Sequence, residues 1–217
     1  MTFFTDAVQF LPALLGGLRV SLALTGLSLL FGLPLATLLS FGTRSANKPV
    51  RWVSIAFVEV GRGAPALVML QFMYFGLPTA GLTLSALASA TLALTWTTAA
   101  YCAEYLRGGL SAVPRGEVEG SMALGMTRWD TLRYIVIPQG WRIALPSLMG
   151  FAVILFQMTS LAYTVAVPEL MSQAYTNATM SFKYMTLFVL AGSIYASISI
   201  PATWLSVLVE KRLARHL

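Results

Sequence analysis

Glu59 and Arg62 stand three residues apart inside a long apolar run, SIAFVEVGRGAPALVML. At helical spacing they share a face and can neutralise each other. A charge at the centre of a bilayer costs about 2.5–3.5 kcal/mol on insertion scales, so an intramembrane ionisable pair calls for a functional hypothesis. Two readings are open. In the first the pair is structural and positions its helix. The second starts from Pro65, which has no N–H and frees a carbonyl, and from Gly61 and Gly63, which let the backbone unwind beside a cavity. Unwound backbone next to one cation and one anion suits a zwitterion, with Arg62 meeting a carboxylate and Glu59 an ammonium or basic group. Gln157, Thr159, Ser160 and Tyr163 place further polar groups among Leu155, Phe156 and Leu161, either lining a pathway or joining helices. Glu104 and Arg107 read as a structural pair. Met69 and Met73 share one helical face beside Phe72 and Phe75, as packing or as an apolar gate.

Other chemistries lack their residues. The single cysteine, Cys102, excludes an intrachain disulfide, and the single histidine, His216, leaves no cluster for zinc or haem. No histidine lies in an apolar segment and no serine is near a credible base, so acyl transfer and metal chemistry have no cast of residues. No G-x-x-x-x-G-K-[ST] is present, so the chain is expected to bind no cofactor and no ATP phosphates itself. The net charge of +6 sits in short loops without interleaved aromatics, which argues against nucleic acid.

The elements that must position these residues are membrane helices. Of 217 residues, 57% are hydrophobic and 10% charged, and mean hydropathy is +0.76; soluble domains carry about 25% charged residues. The apolar runs predict an all-α integral membrane protein in one domain, 1–217, with five transmembrane helices at about 18–42, 53–76, 82–104, 144–167 and 185–209. The break at Gly16-Gly17 predicts a separate interfacial helix over 5–16. The opening residues lack the basic and small-residue signals of a removable leader, so the first span is expected to stay as an anchor. Arg44, Lys48 and Arg51 mark the first loop, Arg107, Arg115, Arg128, Arg133 and Arg142 the third, and Lys211, Arg212 and Arg215 the tail. The second loop has no cation and the fourth has only Lys183. Basic loops stay in the cytoplasm, so the N-terminus is expected outside and the C-terminus inside. No internal repeat is visible, and five helices enclose little space alone, so a dimer with the pathway along its axis is expected.

The longest polar stretch, over 107–142, is built as a knob of two short helices. Pro114 precedes the first, Glu117 and Glu119 lie in its opening turns where the helix dipole favours anions, and Gly125 offers a left-handed stop. The second is expected to begin at Thr127 as N-cap and to stop at Pro138.

This loop resembles the permease subunits of bacterial ABC importers, whose cytoplasmic loop carries E-A-A-x3-G-x9-I-x-L-P. Glu119, Gly125, Ile135 and Pro138 stand at matching positions, while Gly120, Ser121 and Ile137 replace Ala, Ala and Leu. The resemblance extends along the chain to the polar amino-acid branch. Gly61-Arg62-Gly63-Ala64-Pro65 resembles R-G-T-P; Ala99-Ala100-Tyr101, Ala103-Glu104 and Arg107-Gly108-Gly109 resemble A-A-Y-x-A-E-x-x-R-G-G; Thr159-Ser160-Leu161 resembles part of K-D-T-S-L. The resemblance implies a type I ABC importer permease fold in a bacterial inner membrane, importing an amino acid or similar small polar solute. It implies that Glu117, Glu119, Gly120, Ser121, Ala123, Leu124 and Gly125 couple to a separate ATPase dimer holding ATP and Mg²⁺, that an external solute-binding protein delivers cargo, and that Glu59, Arg62, Pro65, Gln157, Thr159 and Ser160 line the pathway. Met158 stands where the family commonly has Asp, which fits a heterodimer in which a related second permease holds the solute. The alternative is a self-sufficient ion-coupled carrier or channel, for which only Glu59 offers a coupling site.

Overall fold

The computed structural model describes residues 2–213, with side chains from residue 5 onward. Arg215 and His216 lie outside the described residues. Within them the chain is all helical, with no strand. α1 spans Thr2–Gly42, α2 Lys48–Gly63 and α3 Ala66–Gln71; α3 runs on through a π turn, Phe72–Gly76, and a 3₁₀ turn, Leu77–Ala80. α4 is Ala86–Ser111, α5 Arg115–Ala123 and α6 Arg128–Thr131; α6 passes through a π turn, Leu132–Val136, into α7, Ile137–Met158, and a 3₁₀ segment, Thr159–Val165. α8 is Leu170–Ser181 and α9 Tyr184–Leu213.

The expected break at Gly16-Gly17 is absent, because α1 is one helix of 41 residues. Gly17 serves packing instead. A Cβ there would sit 2.7 Å from the Glu169 carbonyl oxygen and 2.8 Å from Gln173 Cγ, so only glycine lets α1 lie directly against the start of α8; Gly16 faces open space. The first turns of α1 thus belong to a second core, where Phe10 and Leu14 meet Leu170, Ala174, Ala178, Leu187 and Ala191. Lys183 Nζ lies 2.5 Å from Asp6 Oδ1 and fixes the start of α1 to the α8–α9 turn.

Three helical stretches, Thr5–Gly42, Arg128–Val165 and Tyr184–Leu213, are long and apolar enough to cross a bilayer, and α2 with the α3 stretch makes a further one bent by 106°. α4 is less apolar for a physical reason. It lies at the centre, packed on α1, α2 and α7, and the residues it buries include Ala90, Ala93, Thr97, Ala100 and Ala103. A helix facing mainly other helices gains from small residues that admit close approach more than from lipid-facing bulk. α8 lies in the stretch read from sequence as the fourth loop.

Pro138 does not stop a helix, as the sequence suggested. The π turn just before it widens the coil, which relieves the clash between a proline ring and the carbonyl one turn back, and the helix continues to Met158.

Candidate functional site

The bend at Pro65 is the first feature of the site. Residues before proline are pushed out of the helical region, and Ala64 (φ −83°, ψ 132°) and Pro65 (φ −58°, ψ 137°) are extended, so α2 ends at Gly63 and a new helix starts at Ala66. The unwound residues are therefore Ala64 and Pro65. Gly61, read as an unwinding residue, stays helical and faces α4; a Cβ there would come within 2.6 Å of Ala100 Cβ and 2.7 Å of Trp96 Cδ1. Trp96 Nε1 donates to the Phe57 carbonyl at 3.1 Å and its ring stacks on Phe57 with centroids 4.6 Å apart. Tyr101 donates its hydroxyl to the Arg62 carbonyl at 3.4 Å, using a backbone oxygen left over where α2 stops.

The two ion pairs read from sequence join into one quartet. Arg62 Nη1 lies 3.9 Å from Glu59 Oε1 and 3.4 Å from Glu104 Oε2. Arg107 grips the same carboxylate with two hydrogen bonds, Nε to Oε1 at 2.9 Å and Nη2 to Oε2 at 2.6 Å. Glu104 is therefore shared by two guanidiniums, and the i, i+3 pairs of α2 and α4 are linked across the helix interface. Glu59, Glu104 and Arg107 line a cavity of about 260 Å³ with Thr43, Ile55 and Val58. The quartet is graded in exposure, with the Glu59 side chain 68% accessible and that of Glu104 only 20%. The cross-helix link is invisible to spacing rules, because it depends on how α2 packs on α4.

The polar group at the end of α7 divides. Thr159 is fully buried, and its hydroxyl donates to the Phe156 carbonyl at 2.6 Å. Ser160 donates to the Gln157 carbonyl at 2.7 Å, and the Gln157 side chain is exposed. Gln71 Nε2 donates to Thr164 Oγ1 at 3.0 Å, so α3 beyond the bend is tied to the 3₁₀ segment after α7. Met69 and Met73 are core residues, whereas Phe72 and Phe75 are exposed. Met158 packs against the main core.

Sequence reading missed Glu169. It is wholly buried, and its carboxylate accepts from the N–H of Met171 at 2.8 Å and of Ser172 at 2.6 Å, from the Tyr195 hydroxyl at 2.9 Å and from Ser21 Oγ at 3.3 Å. Burial pushes its pKa up, opposed by these hydrogen bonds. The available signal was its place just after Pro168 and before a helical stretch, but Glu is not among the residues preferred as N-caps.

In the loop over 107–142 the first helix, its stop and the cap that follows are as expected, while the second helix runs on into α7. Gly125 adopts φ +86°, the region glycine enters without steric cost. Thr127 caps α6 in a full capping box with Asp130. Ser121 is buried, with its Oγ 2.9 Å from Thr131 Oγ1. Glu119, Gly120, Ala123 and Leu124 are exposed, Leu124 to 87%. Glu117 is also exposed, but its carboxylate accepts a hydrogen bond from Gln139 of α7.

A helix broken by proline, a charged cluster beside the break and a capped two-helix knob between membrane helices together define a polytopic transport subunit. The chain belongs to the family described as binding-protein-dependent transport system inner membrane component, whose model matches residues 28–215. It is 32% identical to the L-cystine transport system permease protein TcyB of Bacillus subtilis (strain 168), over 97% of this chain and 92% of that one. It is 31% identical to the glutamate/aspartate import permease protein GltK of Escherichia coli O157:H7, over 97% and 98%. A crystal structure of an amino acid ABC transporter with histidines superposes with TM-score 0.92 at 29% identity, covering 96% of this chain and 98% of that one. The chain is thus a multi-pass inner-membrane permease subunit of an ABC importer and not itself an ATPase.

Proposed function

We propose that this chain forms half of an ATP-driven import pathway for amino acids, with five crossings, an external N-terminus and a cytoplasmic C-terminus, as a single permease domain. The cargo class follows the relatives, whose names specify cystine and glutamate/aspartate. The observation that carries the reading is the knob: Gly125 in its left-handed turn and the capping box at Thr127 hold α5 as a discrete projection, with Glu119, Gly120, Ala123 and Leu124 exposed on its outer surface. A separate ATPase dimer, carrying ATP and Mg²⁺, grips that surface and transmits its closure to the spans. Sidedness has support from contacts at each end. Arg44 Nη2 donates to Ser111 Oγ at 2.7 Å, joining the first basic loop to the end of α4; Asp6 and Lys183 meet at the N-terminal end of α1.

The pathway runs past the bend. Arg62 and Glu59, free to exchange partners, receive the carboxylate and ammonium of a zwitterion, and Gln157 at the end of α7 and Ser160 in the 3₁₀ segment after it contribute polar groups. Pro65 sets the bend, and Thr159 shapes the turn that carries its neighbours. A solute-binding protein delivers cargo from outside, and a related second permease, in place of an identical copy, completes the pore. Tagging the chain and identifying by mass spectrometry what co-purifies from its native membrane tests the assembly. An ATPase with a second related permease is expected. Recovery of an ATPase with this permease alone would overturn the heterodimer, and recovery of neither would overturn the assembly.

A further inference from the structure

Resting on the coupling role of the knob, we propose that Gln139 and Glu117 form a strut through which α5 moves α7, with the π turn Leu132–Val136 as the hinge beside it. Among the described residues, two side-chain hydrogen bonds attach α5 to the helices that follow. One joins Ser121 to Thr131 of α6 at 2.9 Å. The other runs from Gln139 Nε2 to the Glu117 carboxylate. They fall on opposite sides of the π turn, Thr131 just before it and Gln139 just after.

This placement decides what each can transmit. A π turn has i→i+5 hydrogen bonds and a wider, less regular coil than the α-helix around it, and such turns recur at functional positions. Pro138 has no N–H and so donates no backbone hydrogen bond back into that turn. Force applied at Thr131 alone turns the four residues of α6 and is absorbed in the wide turn. Force applied at Gln139 enters α7 beyond the turn, on the helix that ends in Gln157 and Met158.

Glu117 reaches Gln139 at the edge of a cavity of about 680 Å³, also lined by Ala112, Pro114, Arg142 and Leu213. That open space separates the first turn of α5 from the spans, so a polar side chain bridges a gap that direct packing leaves unfilled. The two acidic residues of α5 thereby have different tasks. Glu119 lies on the exposed surface offered to the ATPase, and Glu117 turns inward to the permease. Gln139 and Glu117 are positioning residues, since neither touches solute or nucleotide.

The test uses the whole importer, with its ATPase and binding protein, in proteoliposomes, and reads solute imported per ATP hydrolysed. Gln139→Ala is expected to leave the ATPase bound and lower that ratio by at least about fivefold, the small end of typical coupling between sites. The swapped double variant, Glu117→Gln with Gln139→Glu, restores an amide–carboxylate pair in reverse and is expected to recover the ratio, which a merely structural role would not require. An unchanged ratio in Gln139→Ala overturns the strut. So does loss of the ATPase on purification of Glu117→Gln, which would put Glu117 on the docking surface. Wild-type uptake indifferent to ATP would instead fail the importer reading itself, and the strut with it.

Discussion

Two carboxylates of this chain, Glu104 and Glu169, meet opposite environments. Glu104 is held by two guanidiniums on the face between α2 and α4, beside a cavity and linked through Arg62 to Glu59. Glu169 is sealed where α1, α8 and α9 converge, with no ion pair among the described residues and four hydrogen-bond donors around it. A carboxylate shared by two partly exposed guanidiniums can change partners without stranding a buried donor, because the Arg62 and Arg107 side chains keep access to water. A buried carboxylate held by backbone N–H groups and hydroxyls cannot, because each donor left unmade costs about 1–3 kcal/mol. The first arrangement suits a part that works during transport, and the second a part that must hold still.

The sharpest way to break this contrast is Glu169→Ala. It orphans several buried donors, and a loss of about 2–5 kcal/mol is expected, seen as a lower unfolding midpoint in detergent. Stability near wild type would remove Glu169 from the role of fixed tie. Next is Gly17→Ala against Gly16→Ala. The first drives a methyl into the backbone of Glu169, and overpacking of this kind costs about 1–3 kcal/mol. The second meets open space and is expected to gain about 0.5–1 kcal/mol from helix propensity; equal effects in thermal unfolding would contradict the close α1–α8 contact.

Glu104→Gln is expected to cost less in unfolding than Glu169→Ala, since Arg62 and Arg107 remain accessible to water, while cutting ATP-driven uptake, so stability and transport should separate here as they do not at Glu169. The smallest effect is in pH. The folded state holds the Glu169 carboxyl above its unfolded value, so its contribution favours the fold at low pH and is lost as pH rises through the folded value. The unfolding midpoint should decline over that window, and Glu169→Gln should flatten the decline.

The first helix and the turn of the loop over 107–142 were readable in sequence because their structure is local. Thr127 as N-cap acts within its own turn, where the structure adds Asp130 three positions on, and Gly125 marks a left-handed turn that other residues enter only with strain. Pro65 was readable for the same reason, since proline acts on its immediate neighbour. The errors came where a distant element decided the outcome. Gly16-Gly17 looked like a break until α8 supplied the surface that needs Gly17 bare. Pro138 looked like a stop because the π turn that accommodates it leaves no clear mark in composition. Glu169 drew no reading from sequence, since its donors on α1 and α9 are 148 and 26 positions away. The quartet lay between these extremes, with both pairs legible by spacing and their union set by helix packing.

The most direct measurement is uptake of a radiolabelled amino acid into proteoliposomes holding this chain, alone and then with its co-purified ATPase, related permease and solute-binding protein. Uptake is expected only in the full assembly and only with ATP inside the compartment that faces the basic loops. Uptake by the chain alone, or uptake indifferent to ATP, would contradict the importer reading and point to a self-sufficient carrier.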